Sequence, residues 1–487
     1  MGVARLGGAS HSPRALLSAF DALGTLVQLE GVVTSRAELP WLCAPRRPPR
    51  GARNRGSRSP PRRRLCHDFH AHVAMLRELP EAAPPGEAPS AAVLVVLPDE
   101  LTAPLGERVH IVGTLKAVVT LKAVVTSHRS AVTCRLAVVA TSVAALPPPA
   151  APAPDAATAE RIHQLAATPP AALLAALAGA LAPELGDSHM DARRALVLLL
   201  AGGCGKERPG FRIRGDVHCL LASGPPAARA ALLHAVAAAA AHAVSAQVST
   251  SCDHFLSCAL RRDADLGCWA LYAGSLVLAS GGVACIDALE AVGPEAIALY
   301  EVLEAQSVTV ARPGASAETM RARCAVLAAA APPGGAAYDP SRSVAENLGL
   351  LDSLLSCLDL AFVLRDEAGP APGAPASADA AADAPPPLDA AFLKAFVGVA
   401  RTHTPRLTSE AVFEHIAAQY AAMRAAAAAQ PPAGPPTNVR ALSTLIRLAE
   451  AHARLRLSAE VVPADADAAL EVMRAAADSG GGWAGPS

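Results

Sequence analysis

The chain has 487 residues, of which 52% are hydrophobic and 17% are charged, and this composition predicts a globular protein with two or three domains. Its formal net charge of −1 and its 3% aromatic content exclude a uniformly basic surface and limit base stacking as a binding device. The 11 cysteines follow no disulfide framework, which indicates a reducing, intracellular compartment, and no apolar run predicts a membrane span.

The N-terminal third carries the residue patterns of β-strands. Residues 25–35 alternate apolar and polar side chains, and residues 91–97 and 106–113 form two further strand patterns joined by a turn. These strands predict a small β-barrel within residues 1–143. Residues 114–119 and 120–125 repeat the same six letters. A longer strand or a looped-out copy would accommodate a repeat of even length, and a duplication is the preferred explanation of its origin.

An arginine- and proline-rich segment interrupts this region at residues 44–65. It holds too few apolar side chains to bury a core, so we expect it to be disordered. Its arginines suit a phosphate-binding arm or a nuclear-import signal. A solvated loop without a function, or translated non-coding sequence, explains the composition equally well.

Alanine- and proline-rich composition marks the remaining boundaries. Residues 144–160 predict a linker, and residues 368–390 predict an insertion before a helical region at 391–477. Residues 478–487, rich in glycine and serine, predict a frayed tail. The largest predicted domain is therefore the central one, at residues 161–367.

Within the central domain, a strand is followed by a tight turn of small residues and by an alanine- and leucine-rich helix, which is the scaffold of a phosphate-binding loop. A short apolar run and the strand that follows it predict a buried hairpin ending in the carboxylate of Asp287, and two more buried strands come later. Apolar strands interleaved with helices predict a parallel sheet covered on both faces, the plan of a P-loop ATPase. The segments, in chain order, are residues 214–221 (strand), 223–230 (turn), 276–278 and 283–287 (hairpin), 325–330 and 359–364 (strands).

Seven stretches of this chain resemble the minichromosome maintenance (MCM) family of AAA+ DNA helicases, and the resemblance extends from about Ile162 to Met473. The tract at 333–348 is similar to the recombination-associated MCM paralogues. The resemblance implies an α/β P-loop AAA+ core with an N-terminal β domain of OB-fold type and a C-terminal helical lid. The matching stretches are residues 214–221, 273–278, 285–287, 304–312, 354–360, 400–411 and 440–451.

The resemblance places the nucleotide-binding loop at eight consecutive residues: Ser223, Gly224, Pro225, Pro226, Ala227, Ala228, Arg229 and Ala230. Arg229 occupies the position of the phosphate-binding lysine, and its planar fork does not mimic a compact ammonium group. Ala230 stands where a hydroxyl should hold Mg²⁺ and has no side-chain oxygen. Pro226 removes a backbone N–H donor at a glycine position.

The resemblance also implies losses beyond the loop. Asp287 remains as a carboxylate that could hold Mg²⁺ through water, but Ala288 replaces the catalytic glutamate. Ala331 replaces the asparagine that senses the γ-phosphate, and Cys357 replaces the arginine finger given to a neighbouring subunit. Arg440 and Arg447 remain in the lid, one of them at the sensor position. For Asp287 and Arg440, a structural role in capping or in a surface ion pair is the alternative.

Three arginines match DNA-facing hairpins of the family: Arg312, Arg261 and Arg262. They predict a weak, salt-sensitive contact with phosphates, and the alternative for Arg312 is an ordinary exposed hairpin charge. The family's zinc ribbon has no counterpart, because Cys43, Cys66 and the nearby histidines at 67, 70 and 72 contain no CxxC pair. We therefore expect no structural zinc.

These features predict a nuclear, MCM-family DNA-binding protein of DNA replication or homologous recombination and repair, in the role of a non-catalytic subunit or scaffold. Its predicted partners are DNA and other MCM-type subunits in a hetero-oligomer or ring, and it would bind ATP and Mg²⁺ only weakly. The alternative is an ATP-dependent DNA helicase subunit that binds ATP and completes its active site with a partner MCM subunit. An eroded gene or a faulty gene model is a third explanation.

Overall fold

The computed structural model describes residues 26–39, 71–77, 92–98, 101–122, 131–147, 154–248, 256–262, 269–311, 317–365, 388–429 and 439–480. They belong to two compact units. The first unit comprises residues 1–148, 258–273 and 310–320, and the second comprises residues 149–257, 274–309 and 321–487. Each unit is described by itself.

The first unit contains a five-stranded barrel in the order β1-β2-β3-β5-β4, closed by pairing of β4 with β1. All pairs in it are antiparallel except the parallel pair β3–β5. In β1, buried Val27 and Leu29 alternate with exposed Gln28, which is the pattern of a strand with one face on a core. This closed barrel confirms the predicted OB-type domain. Its strands are β1 (Leu26–Leu39), β2 (Ala71–Arg77), β3 (Ala92–Pro98), β4 (Arg108–Lys122) and β5 (Ala131–Ala145).

The repeated hexamer lies partly in a long strand. β4 continues through the first copy and into the second as far as Lys122, where it pairs with Ala131 of β5. Because the repeat has an even length, the added residues keep the alternation of the two strand faces. The longer strand is thus the alternative that the structure adopts up to Lys122, and residues 123–130 lie outside the described residues.

The second unit is built on a parallel sheet of five strands in the order β16-β8-β15-β12-β9. Its central strands are buried along almost their whole length because helices cover both faces. This sheet confirms the predicted α/β P-loop core. The strands are β8 (His218–Ala222), β9 (Ala243–Gln247), β12 (Val283–Asp287), β15 (Ala325–Ala330) and β16 (Leu360–Val363).

The remaining strands form smaller pairings. β10 and β11 form an antiparallel hairpin, and β11 also pairs with β1, so that Ser35 lies opposite Tyr272. This hairpin, which lies within the predicted central domain at 161–367, extends the barrel's sheet. β6 pairs with β7, and β13 pairs with β14. Their bounds are β6 (Lys206–Arg208), β7 (Phe211–Ile213), β10 (Cys258–Arg262), β11 (Trp269–Ala273), β13 (Ser307–Val310) and β14 (Glu318–Arg321).

Twelve α-helices occur among the described residues. Four short 3₁₀ turns accompany them at Pro183–Leu185, Leu289–Ala291, Gly293–Glu295 and Pro333–Gly335. The helices are α1 (Ala156–Ala166), α2 (Pro170–Ala180), α3 (Met190–Ala201), α4 (Pro226–Ala239), α5 (Ser275–Leu278), α6 (Ala296–Ala305), α7 (Val344–Leu348), α8 (Asp352–Leu355), α9 (Ala390–Thr402), α10 (Glu410–Ala429), α11 (Val439–Leu455) and α12 (Pro463–Asp478).

The prediction of a strand at residues 276–278 is wrong. These residues lie in helix α5, whose backbone N–H of Leu278 donates to the carbonyl oxygen of Gly274 at 3.0 Å. A hairpin with β12 is impossible because β9 and β15 already occupy both edges of that strand. A short apolar run does not by itself distinguish a buried strand from a buried helical turn.

The four C-terminal helices α9 to α12 form the predicted lid. Apolar side chains of α9, α11 and α12 belong to the same buried core as β8 and β16. Polar contacts add to this packing, because Asp359, which precedes β16, accepts a hydrogen bond from Thr444 Oγ1 of α11 at 2.8 Å. The lid and the sheet are therefore one packed body within the second unit.

Candidate nucleotide-binding site

The predicted phosphate loop joins β8 to α4. Ser223 and Gly224 both have left-handed backbone conformations, with φ of 59° and 74°, and α4 begins at Pro226. A Cβ atom at Gly224 would lie 2.5 Å from Cβ of Leu364, directly after β16. The tight turn at this point therefore requires glycine on two counts, backbone conformation and space.

Proline alters the donor groups of this loop. Pro225 caps α4 and Pro226 is its first residue, so neither supplies the backbone N–H that a phosphate loop uses to surround an anion. Prolines suit the start of a helix, because the first N–H groups have no partner inside the helix. The loop thus keeps the strand–turn–helix path and offers no backbone N–H at these two positions.

Arg229 binds the loop itself. Its Nη1 donates hydrogen bonds to the carbonyl oxygens of Ser223 at 3.0 Å and Gly224 at 2.8 Å. The guanidinium group therefore closes the loop in the way a bound cation would. The sequence indicated the substitution at the lysine position and did not reveal these two internal contacts.

The remaining loop residues are alanines. Ala228 is buried, whereas Ala227 and Ala230 are exposed, and none has a side-chain oxygen for a metal ion.

Asp287 lies at the end of β12, where its Oδ1 accepts the N–H of Ala288 at 2.9 Å. Ala288 itself is in the left-handed region, with φ of 57°. These residues do not fit the Mg²⁺ ion that a P-loop nucleotide requires, because the hydroxyl ligand is missing.

A carboxylate that the sequence analysis missed lies near this strand end. Glu290 Oε2 accepts the backbone N–H of Ala331 at 3.1 Å, and Ala331 is the residue at the predicted γ-phosphate sensor position. The sequence feature that could have indicated Glu290 is its position three residues after Asp287, on the turn Leu289–Ala291. Glu290 links this turn to the segment that follows β15.

A cavity of about 900 Å³ opens beside the loop. Ser223, Gly224 and Arg229 are among the residues that line it, together with Arg342 and Arg365. Asp287 is not among the described residues that line it. The sequence analysis named neither Arg342 nor Arg365 as a site residue, since arginines in loops carry no distinguishing local pattern.

The two lid arginines have different environments. Arg447 is 7% exposed and binds Asp359, so it is a structural residue of the core. Arg440 is 44% exposed in its side chain, pairs with Glu304 at 2.8 Å and donates to the carbonyl oxygen of Ser356 at 2.8 Å. Arg440 also contacts Sγ of Cys357, the residue at the finger position, and burial raises the pKa of that thiol.

The structure describes the predicted DNA-binding arginines only in part. Arg261 lies on β10 and its side chain is exposed. Arg262 is in the same strand, but its side chain lies outside the described residues, as does the whole of Arg312. Cys43, Cys66 and His67 also lie outside them, and no cluster suited to a metal ion occurs among the residues that are described. The DNA and zinc assignments stay predictions.

Comparison with known proteins decides the family. Residues 158–372 match the family model of the MCM P-loop domain, and residues 391–477 match that of the MCM AAA-lid domain. The chain belongs to the MCM family. The two matches together cover the core, the lid and the phosphate loop described above.

Relatives of this MCM-family chain include eukaryotic and archaeal proteins. It is 30% identical over 465 residues to DNA replication licensing factor MCM3 homolog 3 of Zea mays, covering 84% of this chain and 59% of that protein. It is 34% identical to minichromosome maintenance protein MCM of Saccharolobus solfataricus, covering 59% of this chain and 42% of that protein. DNA replication licensing factor MCM7 of Arabidopsis thaliana is also 34% identical, and the match covers 61% of this chain and 43% of that protein.

The MCM-family chain spans about three fifths of the length of the MCM3 relatives it matches, and that match covers 84% of this chain. Those relatives are named as replication licensing factors, so the narrower similarity to recombination-associated paralogues stays a prediction. Across the described part of the chain, no helix has the length and apolar character needed to cross a membrane.

Proposed function

We propose that this MCM-family chain is a DNA-binding, non-catalytic subunit or scaffold of DNA replication or of homologous recombination and repair in the nucleus. The observation that carries the proposal is the chemistry of the phosphate loop. Arg229 binds the loop carbonyls of Ser223 and Gly224, and Ala230 has no oxygen for a metal. A P-loop enzyme needs a lysine that reaches the phosphates, a hydroxyl ligand for the metal and a residue that orients the attacking water.

The base is also missing at its expected place. Ala288 follows Asp287 where the catalytic glutamate of the family stands, and Glu290 is engaged with the N–H of Ala331. A missing base, metal ligand and finger each cost orders of magnitude in rate, and the finger by itself accounts for about 10³–10⁵. Because Pro225 and Pro226 supply no backbone N–H and Ala230 has no oxygen for a metal, the proposed chain binds ATP and Mg²⁺ weakly. We expect no structural zinc.

The proposed partners are DNA and other MCM-type subunits in a hetero-oligomer or ring. The names of the relatives describe licensing factors of DNA replication, which favours replication over repair. The exposed side chain of Arg261 on β10 supports a contact with phosphates, which arginine binds well at a surface.

One observation favours the alternative, an ATP-dependent DNA helicase subunit that completes its active site with a partner. Arg440 is exposed beside Ser356 and Cys357, at the place where the family presents its finger to a neighbouring subunit. Its ion pair with Glu304 is exposed, and an exposed pair is weak enough for the guanidinium group to exchange it for the phosphate of a nucleotide bound by another chain. In this alternative the chain contributes to hydrolysis only within an assembly.

ATP turnover by the purified chain tests the proposal. We expect no release of phosphate above the background of a mock purification, with or without DNA. A variant that combines Arg229→Lys, Ala230→Ser and Ala288→Glu is the matched comparison, because it returns the lysine, the hydroxyl and the base. Robust DNA-stimulated turnover by the unmodified chain would contradict the proposal, and turnover only after a partner MCM subunit is added would support the alternative.

A further inference from the structure

Three arginines of the second unit lie at the end of the parallel sheet opposite the phosphate loop. Arg212 belongs to β7, Arg321 is the last residue of β14, and Arg323 comes two residues before β15 begins. We call these three residues the arginine cluster. The phosphate loop follows the carboxyl end of β8, whereas the arginine cluster adjoins the amino ends of the strands. The cluster is therefore separate from the nucleotide site.

The backbone presents Arg321 and Arg323 on the same side of the chain. Ala322 between them is buried, whereas Arg321 is exposed and Arg323 is partly exposed, which is the alternation of an extended segment. Hydrogen bonds hold this segment in place. The N–H of Ala322 donates to the carbonyl oxygen of Gln306 at 2.9 Å, and the carbonyl oxygen of Arg323 accepts the N–H of Gly281 at 2.7 Å.

Arg212 lies against the hairpin of β6 and β7. Its Nη2 is 3.2 Å from the position that a Cβ atom of Gly205 would occupy, so the glycine leaves room for the guanidinium group. Glu207 is the cross-strand partner of Arg212, and residues directly opposite each other on antiparallel strands project on the same face. The next residue, Arg208, projects on the other face of this hairpin.

The arginine cluster carries more positive charge than its surroundings neutralise. Arg323 Nη1 lies 4.0 Å from Oε1 of Glu207, in a pair whose side chains are 38% and 77% exposed. Burial lowers the pKa of Arg323, and so do the charges of Arg212 and Arg321. The carboxylates of Glu207 and Asp216 act in the opposite direction. Within the described part of the chain, no other carboxylate forms an ion pair with Arg212 or Arg323.

The compactness of the arginine cluster favours a phosphate monoester as its ligand. A phosphorylated hydroxyl carries a charge of about −1.5 to −2 at neutral pH on one group of three oxygens. Guanidinium groups bind such oxygens through paired, parallel hydrogen bonds. Duplex DNA instead spreads single charges along its length, and the exposed carboxylate of Glu207 would repel the phosphates next to the one that is bound.

We propose that the arginine cluster is a docking site for a phosphorylated serine or threonine on a segment of a partner protein. The phosphate binds Arg212, Arg321 and Arg323, and it displaces Glu207 from Arg323, because an exposed ion pair is weak. Arginine clusters are a recurring means of recognising phosphorylated segments. The contact thus depends on phosphorylation of the partner and is independent of the nucleotide-binding loop.

Fluorescence anisotropy with the full chain tests this inference. The probe is a fluorescein-labelled peptide of glycine and alanine with one phosphoserine, and two comparison peptides carry serine or aspartate at that position. We expect saturable binding of the phosphoserine peptide and none of the other two. Arg212→Ala and Arg323→Ala should each weaken this binding about tenfold, as expected for the loss of a charge-assisted hydrogen bond.

Two further variants separate the contact from an effect on the fold. Glu207→Gln removes the competing carboxylate and should tighten binding about threefold, which damage to the fold would not do. Arg208→Ala is the matched control, since Arg208 is an exposed arginine of the same hairpin on its other face. This control should leave the affinity unchanged.

The opposite results would overturn the inference. They are absence of binding by the phosphoserine peptide, equal affinity for the aspartate peptide, or unchanged affinity in both Arg212→Ala and Arg323→Ala. An equal loss in Arg208→Ala would also overturn it, because general positive charge would then explain the binding. Displacement of the peptide by duplex DNA, with loss of DNA affinity in the two cluster variants, would assign the arginine cluster to DNA instead.

Discussion

The carboxylate of Asp359 is 3% exposed and has two guanidinium partners. Arg214 Nη1 lies 2.7 Å from its Oδ2, and Arg447 binds its Oδ1. The backbone N–H of His218 donates to the same carboxylate at 2.8 Å. Burial by itself would raise the pKa of Asp359, but Arg214 and Arg447 hold it well below its usual range.

Replacing Asp359 should be strongly destabilising. Asp359→Asn leaves the buried guanidinium group of Arg447 without its counter-charge, which typically lowers the free energy of unfolding by about 3–5 kcal/mol. Urea denaturation followed by circular dichroism measures the loss. Asp191→Asn is the control, because its pair with Arg194 is exposed and should change stability by less than about 1 kcal/mol. Equal effects of the two variants would contradict this assignment.

The same residue predicts a pH dependence. The pKa of Asp359 is lower in the folded than in the unfolded state, so its stabilisation is complete above about pH 3.9. It is lost as the pH falls from there towards the folded pKa, because the unfolded chain takes up the proton first. The loss of unfolding free energy over this acid range should therefore be smaller in Asp359→Asn than in the unmodified chain.

Among the elements, the turn between β8 and α4 depends on its contact with the residue after β16. Gly224 has a φ of 74° and no room for a Cβ atom, whereas Gly186 has a φ of 58° with no atom within 4 Å of a Cβ. Alanine at Gly186 therefore tests the backbone conformation by itself, whereas alanine at Gly224 tests the backbone conformation together with crowding by Leu364.

Gly224→Ala should destabilise the second unit more than Gly186→Ala. In the control, Gly186→Ala, only the left-handed backbone conformation of alanine lowers the free energy of unfolding, by about 1–2 kcal/mol. Gly224→Ala adds overlap with Leu364, and overpacking costs about 1–3 kcal/mol more. Thermal unfolding of both variants measures the difference, and equal melting temperatures would show that β16 moves away from the loop at no cost.

At the scale of the whole molecule, positive charge is concentrated locally in a chain of net charge −1. Residues 46–64 contribute nine arginines, and Arg312, Arg261 and Arg262 are the predicted hairpin contacts. Each phosphate neutralised on duplex DNA adds about 0.9 to the slope of log affinity against log salt. The slope therefore reports which of these arginines bind DNA.

Deletion of residues 46–64 should reduce that slope by several units, whereas Arg312→Ala should change it by about one. Fluorescence anisotropy with duplexes of unrelated sequence, over a series of salt concentrations, measures the slope. Affinity should be independent of DNA sequence, because phosphate contacts carry no base information. If the deletion leaves affinity and slope unchanged, the segment does not bind DNA and the hairpin arginines become the remaining candidates.

The sequence by itself determined the elements whose signal is local. The buried strands β8, β12, β15 and β16 were recognisable from apolar runs between helices, and the order of strand, turn and helix placed the phosphate loop. That Ala230 and Ala288 have no side-chain oxygen is also a property of the residues themselves, and the loss of a metal ligand and of a base at these positions stays a prediction from the family resemblance. Family membership followed from the same residues.

Only the tertiary structure decided the contacts made across the chain. Residues 276–278 are helical because the neighbouring strands already pair with both edges of β12, and β11 joins the barrel because it pairs with β1. Likewise, Arg447 is buried on Asp359 while Arg440 remains exposed, although both belong to one helix. Sequence patterns cannot separate such cases, because edge availability, burial and the partners of an arginine depend on residues distant in the chain.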